Sequence, residues 1–131
     1  MNTLNLFEQF NNNGKLILPN ETYNFDEIAW SKHPTFEGVE LKHIVTGSQT
    51  TNAFSYHLVR IAPHKKIAMH THPLQLETHE IIAGSGYCLN NGVRLNYIPG
   101  TISIFPMNVE HEVTAHSEGL YLFAKFIPAL C

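Results

Sequence analysis

The amino-acid sequence predicts an all-β protein, built as a barrel or sandwich of short strands. From residue 36 onward, runs rich in β-branched and aromatic residues follow one another at short, regular intervals, separated by turns that contain Gly or Pro. Asn91-Gly92 stands between two such runs and strongly indicates a hairpin, because both residues tolerate positive φ. No long helical periodicity competes with this pattern after residue 30.

The predicted elements divide the chain into a short, irregular N-terminal extension, residues 1–35, and a barrel, residues 36–131. The elements predicted in the extension are a helical turn at 4–10, a loop at 11–14, a brief strand at 16–18 and an ambiguous stretch at 21–30. The strands predicted in the barrel are 39–45, 53–61, 77–83, 87–89, 93–95, 101–105, 110–115 and 120–127.

Length and composition indicate one globular domain of 131 residues with a net charge of −3. Because no basic stripe is present, nucleic-acid binding is not expected. No apolar run approaches the roughly 18 residues of a membrane span, and the first residues lack the pattern of a signal peptide, so we expect a cytoplasmic protein. Two cysteines, Cys88 and Cys131, do not suggest a disulfide framework, and we expect Cys131 to lie on a mobile terminus.

Nine histidines are many for this length, and their spacing indicates a metal site. His70 and His72 are two residues apart, so an extended chain projects both imidazoles from one face. Pro73 then turns the chain, and Glu77 begins a strand that can run back antiparallel beside the first. Two imidazoles and a carboxylate suit iron, manganese, nickel, copper or zinc. His111, on a later strand, is the natural fourth ligand.

These residues lie within two motifs that resemble those of the cupin superfamily, specifically its small single-barrel members. The first cupin motif is Gly, five residues, His-x-His, three or four residues, Glu, six residues, Gly; the matching residues here are His70, His72, Glu77 and Gly84. The second is Gly, five residues, Pro-x-Gly, two residues, His, three residues, Asn; the matching residues are Gly100, Pro106 and His111. Taken singly, each histidine is more simply a surface or core residue, but the joint match favours a metal site.

The resemblance implies a double-stranded β-helix, or jelly roll, that holds one divalent transition metal ion through three histidines and one glutamate. Three positions depart from the motifs: His64 replaces the opening Gly, Asn108 replaces the Gly after Pro106, and Ala115 replaces the final Asn. Asn also tolerates left-handed backbone geometry. None of these departures touches the four expected ligands.

Strand alternation places His79 on the same face as Glu77, which makes His79 a candidate for orienting the ligands or for acid–base catalysis, or simply a polar lining residue. Strand 53–61 carries His57 on one face and Tyr56 with Arg60 on the other, and either face can meet the cavity. Trp30 is expected to pack on the barrel wall. Candidates to line an apolar cavity, or simply to fill the core, are Met69, Tyr87, Phe105, Phe123 and Phe126. Histidines expected to be exposed are His33, His43, His64 and His116.

The favoured function is that of a metalloenzyme acting on a small molecule, with dioxygenase-like chemistry first and lyase or decarboxylase chemistry as relatives. A non-catalytic ligand-binding or sensor barrel is the alternative. A sugar or sugar-phosphate isomerase is third, because the cations that would hold an anionic group, chiefly Arg94 and Lys125, are scattered. By resemblance we expect a homodimer, with residues 16–45 at the interface and either sheet edges paired or an N-terminal strand exchanged.

Overall fold

The computed structural model describes residues 4–131, and the chain begins there with a helix that packs on the barrel. Helix α1, Leu6–Asn13, starts with a capping box in which Asn5 and Glu8 satisfy each other's backbone N–H groups. The predicted loop over 11–14 is therefore wrong for its first three residues. The weak helix propensity of asparagine is overridden because Phe7 and Phe10 anchor the helix in an aromatic cluster.

A small hairpin and a single turn connect this helix to the barrel. Strand β1, Lys15–Ile17, pairs with β2, Thr22–Asn24, so the predicted strand at 16–18 is present one residue earlier. A 3-10 turn, Phe25–Glu27, follows, and β3, Ser31–Lys32, is the first strand of the main sheet.

Seven further strands form the barrel, and every pairing among them is antiparallel. They are β4 Val39–Val45, β5 Ser55–Ile61, β6 Lys66–His70, β7 Leu76–Asn90, β8 Val93–Tyr97, β9 Ile102–Phe105 and β10 His111–Ile127. A one-turn helix, α2, Gly47–Thr50, joins β4 to β5. None of the helices within residues 4–131 is long and apolar enough to cross a membrane.

Strands β7 and β10 run through both halves of the barrel. The first half of β10 lies between β6 and the second half of β7, which also pairs with β8. The second half of β10 lies between β5 and the first half of β7, which also pairs with β9. The result is the two-sheet jelly roll that the sequence resemblance implied.

Two of the observed strands each join two predicted ones. Strand β7 covers the predicted strands 77–83 and 87–89, and β10 covers the predicted strands 110–115 and 120–127. The glycines that seemed to end them are bends inside the strands. Gly84 has φ +73° and Gly119 has φ +78°, and the pairing of β10 with β7 shifts register between Ala115 and Leu120. By contrast, Asn91-Gly92 forms the predicted hairpin, with φ of +50° and +81°.

Apolar side chains pack on both faces of this sheet. One cluster fills the barrel interior around the fully buried Tyr97, Leu122 and Val113. A second cluster lies outside, under α1. Trp30 belongs to it, as predicted, with its ring 6.1 Å from that of Phe7 and 4.0 Å from the Arg60 guanidinium. The outer cluster fixes the N-terminal segment against one wall of the barrel.

Candidate metal centre

Four side chains from both sheets converge at one end of the barrel, and we call them the central cluster. Its members are His70, His72, Glu77 and His111. One ligand atom of each lies within 4.8 Å of those of the other three. His70 ends β6 and is the register partner of His111, the first residue of β10. His72 follows two residues after β6. The structure therefore brings together all four residues that the sequence indicated.

Glu77 reaches the cluster by a different route from the one predicted. Its strand, β7, does not run beside β6; both strands pair with β10 instead. Glu77 pairs with Phe126 on β10 and with Phe105 on β9, so it belongs to the half of the barrel opposite His70. The carboxylate therefore faces the imidazoles across the barrel interior. The error came from assuming that consecutive strands are neighbours, which a jelly roll does not require.

The backbone orients the histidines of the cluster. His70 Nδ1–H donates to the carbonyl oxygen of Ala68 at 2.8 Å, and His111 Nδ1–H donates to that of Val109 at 3.1 Å. In both rings Nε2 is then the nitrogen directed at the cluster, which is the usual arrangement of histidine ligands. Asn108 N–H donates to the carbonyl of His72 at 3.0 Å, and this tie connects the second motif to the loop of the first.

Glu77 is 5% exposed and shares its carboxylate between two histidines. Its Oε1 lies 2.8 Å from His111 Nε2 and its Oε2 lies 2.8 Å from His79 Nε2. His72 Nε2 is 3.4 Å from Oε1. Burial opposes ionisation of this carboxyl, but the imidazoles of His79 and His111 outweigh burial and hold the pKa of Glu77 well below its usual range. The group is therefore a carboxylate at neutral pH.

The electrostatics of His70 and His72 also favour ligation. Burial is the largest influence on both, and it lowers the pKa of each imidazole because the charged form loses hydration. Both rings are thus neutral at pH 7, which is the form that binds a metal ion.

Behind Glu77 lies a buried chain of hydrogen bonds. His79 Nδ1 is 2.9 Å from the Tyr97 hydroxyl, which is 2.8 Å from Ser103 Oγ. Burial raises the pKa of Tyr97 well above its usual range, so its O–H proton is retained. His79 lies behind the carboxylate and not in the four-residue cluster. Its assignment as an orienting or acid–base residue remains a prediction. The parts played by Tyr97 and Ser103 were missed, because nothing local in the sequence links them to His79.

A cavity of about 260 Å³ adjoins the central cluster. Its walls are mainly aliphatic and aromatic, and the lining residues outside the cluster are His33, Phe36, Val39, Leu41, Val59, Ile67, His79, Leu122, Ala124, Phe126 and Leu130. Within residues 4–131, no lysine or arginine lines it. Arg94 instead lies over the Tyr87 ring, 3.9 Å from its centroid, and Lys125 lies near Tyr56. Neither cation reaches the cluster.

Of the five residues expected to line an apolar cavity or simply to fill the core, one lines the cavity, two are buried in apolar clusters, and two do neither. Phe126 lines the cavity, but Met69 is exposed and Tyr87 lies on the surface. Phe105 stacks on His111, with ring centroids 4.1 Å apart, and so supports a ligand from behind. Phe123 belongs to the outer cluster. Alternation places a residue on a face, but the sequence does not reveal which face encloses empty space.

The structure also resolves which face of β5 is internal. Val59 lines the cavity and His57 is fully buried on the same side, while Tyr56 and Arg60 face outward. Of the four histidines expected to be exposed, His64 and His116 are exposed. The expectation is wrong for the other two: His33 lines the cavity and His43 is half-buried against His57.

Comparison with known proteins identifies the fold. No protein-family profile and no curated protein sequence matches the chain. Ectoine synthase from P. lautus is similar in structure, with TM-score 0.73, 16% identity, and coverage of 88% of this chain and 80% of that one. A predicted oxalate decarboxylase from Thermotoga maritima has TM-score 0.70, 20% identity, and coverage of 79% and 95%.

An RmlC-like cupin from Shewanella frigidimarina is a third similar structure, with TM-score 0.70, 14% identity, and coverage of 80% of this chain and 87% of that one. With these neighbours and the topology described above, the chain has the cupin fold, as a small single barrel. It carries a cluster of three histidines and one glutamate that can bind a metal ion.

Proposed function

We propose that the chain is a metal-dependent cupin that holds one divalent transition metal ion (Fe, Mn, Ni, Zn or Cu) and acts on a small organic molecule. The observation that carries the proposal is the convergence of the central cluster on the wall of a largely apolar cavity. Three imidazole nitrogens and a carboxylate oxygen are suitable ligands for these ions. Their number leaves coordination positions for a substrate or water.

The residues present fit the ion. Burial lowers the pKa of two of the imidazoles, His70 and His111 are oriented by backbone carbonyls, and Glu77 is held ionised. A bound ion of this kind supplies Lewis acidity or, if redox-active, chemistry with dioxygen. The chain itself supplies the apolar wall of the cavity, and His79 Nε2 lies within hydrogen-bond distance of Glu77 Oε2.

The cavity favours a compact and mostly uncharged substrate. Its volume of about 260 Å³ lies below the usual range for drug-sized ligands. Apart from the central cluster and His79, the polar side chain among the described residues that line the cavity is that of His33. Burial is the main cause that lowers the pKa of His33. Dioxygenase-like chemistry remains our first choice, followed by lyase or decarboxylase chemistry. Among the similar structures, one is described as a predicted oxalate decarboxylase and another as ectoine synthase.

Non-catalytic binding of a small ligand is the second candidate, and the small number of polar groups in the cavity favours it. Such a barrel would show ligand-dependent thermal stabilisation without product formation. A sugar-phosphate isomerase is the least favoured reading, because the cavity-lining residues of the described chain offer no cation for a phosphate group.

Elemental analysis of tag-free protein tests the metal proposal. We expect about one equivalent of a transition metal at the central cluster, lost in Glu77→Gln and His111→Ala. Glu80→Gln is the matched control, because Glu80 accepts a hydrogen bond from Tyr56 at 2.9 Å and lies outside the cluster. It should bind metal like the wild type.

Equal metal content in wild type and Glu77→Gln, after reconstitution with each ion, would overturn the assignment. If metal binds, removing it with a chelator should abolish any turnover found in a substrate screen. Turnover that persists in metal-free protein would exclude the enzymatic reading of this site.

A further inference from the structure

A second group of ligand-type side chains lies apart from the central cluster, and we call it the tail cluster. It consists of His43, His57 and Cys131, with one ligand atom of each within 4.8 Å of the others. His43 and His57 are register partners on β4 and β5, so their side chains share a face. Their Nδ1 atoms are 2.8 Å apart, and Cys131 Sγ is 3.8 Å from His43 Nδ1.

Hydrogen bonds to residues outside the tail cluster hold two of its three members, His57 and Cys131, in place. Leu130 N–H donates to Ser55 Oγ at 2.8 Å, and Gly47 N–H donates to the carbonyl of Cys131. Cys131 is therefore tied to α2 and, through Leu130, to β5. The same Ser55 Oγ lies 2.8 Å from His57 Nε2, so the far side of that ring is held while Nδ1 points at the cluster.

The chemistry of the three groups also favours an ion. His57 and His43 each offer an imidazole nitrogen and Cys131 offers a sulfur, and all three are common ligands of transition metal ions. The two Nδ1 atoms share a single proton. Tetrahedral coordination at about 2.0–2.1 Å from nitrogen and 2.3 Å from sulfur sets N···N near roughly 3.3 Å and N···S near roughly 3.6 Å. The His43–His57 and His43–Cys131 separations are within about half an ångström of these values, and the third pair of ligand atoms lies within 4.8 Å.

We propose that the tail cluster is a second metal site, which takes one thiolate-preferring ion such as Zn²⁺ or Cu⁺ through His43 Nδ1, His57 Nδ1 and Cys131 Sγ. Two imidazoles with a thiolate suit these softer ions better than they suit Mg²⁺ or Ca²⁺. On binding, the imidazole that donates the Nδ1 proton passes to its Nε2–H tautomer, and the thiol releases its proton to solvent. Burial raises the pKa of Cys131, but direct coordination deprotonates a thiol.

Such an ion would hold residues 130–131 beside the cavity that adjoins the central cluster. Leu130, the residue before the sulfur ligand, lines that cavity. The Phe126 ring contacts His72 of the central cluster and His57 of the tail cluster, with centroid distances of 5.0 and 5.6 Å. The two sites thus lie on either side of a shared cavity wall but use no common ligand, and each can be tested without the other.

Titration of reduced, metal-free protein with Co²⁺, a spectroscopic substitute for Zn²⁺, tests the second site. We expect the wild type to show a thiolate-to-cobalt charge-transfer band in the near ultraviolet. Glu77→Gln should keep this band, and Cys131→Ser should lose it although the buried Cys88 is still present. His43→Gln keeps the thiol but removes one of the three ligands. It should lower the affinity for Co²⁺ at this site at least roughly tenfold, because even the loss of a group behind a ligand commonly costs that much.

A wild type without the band, or a band that survives in Cys131→Ser, would overturn the proposal. Failure of the central cluster has a different signature, because Glu77→Gln would then bind as much metal as the wild type. A second readout guards against misfolding of a variant. In the Glu77→Gln background, added Zn²⁺ should raise the unfolding temperature, and further substitution Cys131→Ser, at an exposed position, should remove that rise.

Discussion

Tyr97 belongs to a buried chain of side chains that begins at Glu77, passes through His79 and ends at Ser103. Its hydroxyl has two partners, His79 Nδ1 and Ser103 Oγ, and the side chain is fully buried. If Tyr97 O–H donates to Nδ1, then Nε2–H is left to donate to the carboxylate. In that arrangement Tyr97 would act on the central cluster through His79, as a positioning residue.

Tyr97→Phe should weaken metal binding at the central cluster by roughly 10- to 100-fold, as removal of such outer partners commonly does. Competition with a chelator of known affinity measures the effect. Tyr56→Phe is the control, since that hydroxyl contacts Glu80 on the outer wall. If both variants bind metal like the wild type, the hydrogen-bond chain does not orient the ligands.

The sequence predicted the residues of the central cluster because their pattern is largely local. His70, His72 and Glu77 lie within eight positions and match the first cupin motif, and His111 matches the second. The tail cluster spans 89 positions, from His43 to Cys131, and its members carry no shared motif. Only the return of the chain after β10 brings them together. Contacts of this kind depend on topology, which strand patterns do not specify.

At the scale of elements, the strand pattern was predictable but the strand lengths were not. Strand β4 has the predicted bounds, and the hairpin at Asn91-Gly92 is where the turn chemistry placed it. Glycine was misread as a terminator in β7 and β10. A glycine at positive φ serves equally at a turn and at a bulge inside a strand, and local sequence does not distinguish the two.

Gly84→Ala should destabilise the fold far more than Gly92→Ala, although both glycines have positive φ. A Cβ at Gly84 would lie 2.1 Å from the Gly119 carbonyl oxygen, while one at Gly92 meets nothing within 4 Å. Both substitutions carry the left-handed penalty of about 1–2 kcal/mol, and overpacking adds about 1–3 kcal/mol at Gly84. Urea unfolding measures the difference, and equal losses would show that the bulge yields to the added methyl group.

Two of the three departures from the cupin motifs also concern residues at positive φ. His64 and Asn108 stand where the motifs have glycine, and both adopt positive φ, +63° and +68°. The geometry of the two turns is therefore retained without the glycine. Asn and His are both among the non-glycine residues that enter this region most readily, and His64 is exposed.

For the whole molecule, metal binding and unfolding are linked. An ion that binds only the folded protein stabilises it by about 2.7 kcal/mol at a free concentration 100 times its Kd. We expect the unfolding temperature of chelated protein to rise with added transition metal, and to rise less in Glu77→Gln. Scanning calorimetry measures this shift. Equal shifts in the two proteins would place the stabilising ion outside the central cluster.

We propose further that the protein forms a homodimer through residues 16–45, where β3 is an edge strand of the main sheet. Ile17, in this segment, is 74% exposed. Ile17→Asp should therefore yield a monomer in sedimentation. Ile104→Asp, at an exposed position on β9, is the control and should leave the dimer intact. A monomeric wild type contradicts the proposal, and dissociation by the Ile104 change alone would move the interface to β9.

The continuity of β7 and β10 through both sheets has a consequence for how the protein exchanges its backbone hydrogens. Each strand is paired on both sides for most of its length, so its amides open only when large parts of the barrel open together. Glu77 and His111 lie at the ends of these slowly opening strands, whereas His72 lies in a loop between strands. If an ion binds the central cluster, we expect its release through motion of that loop to leave the amide protection of the barrel unchanged.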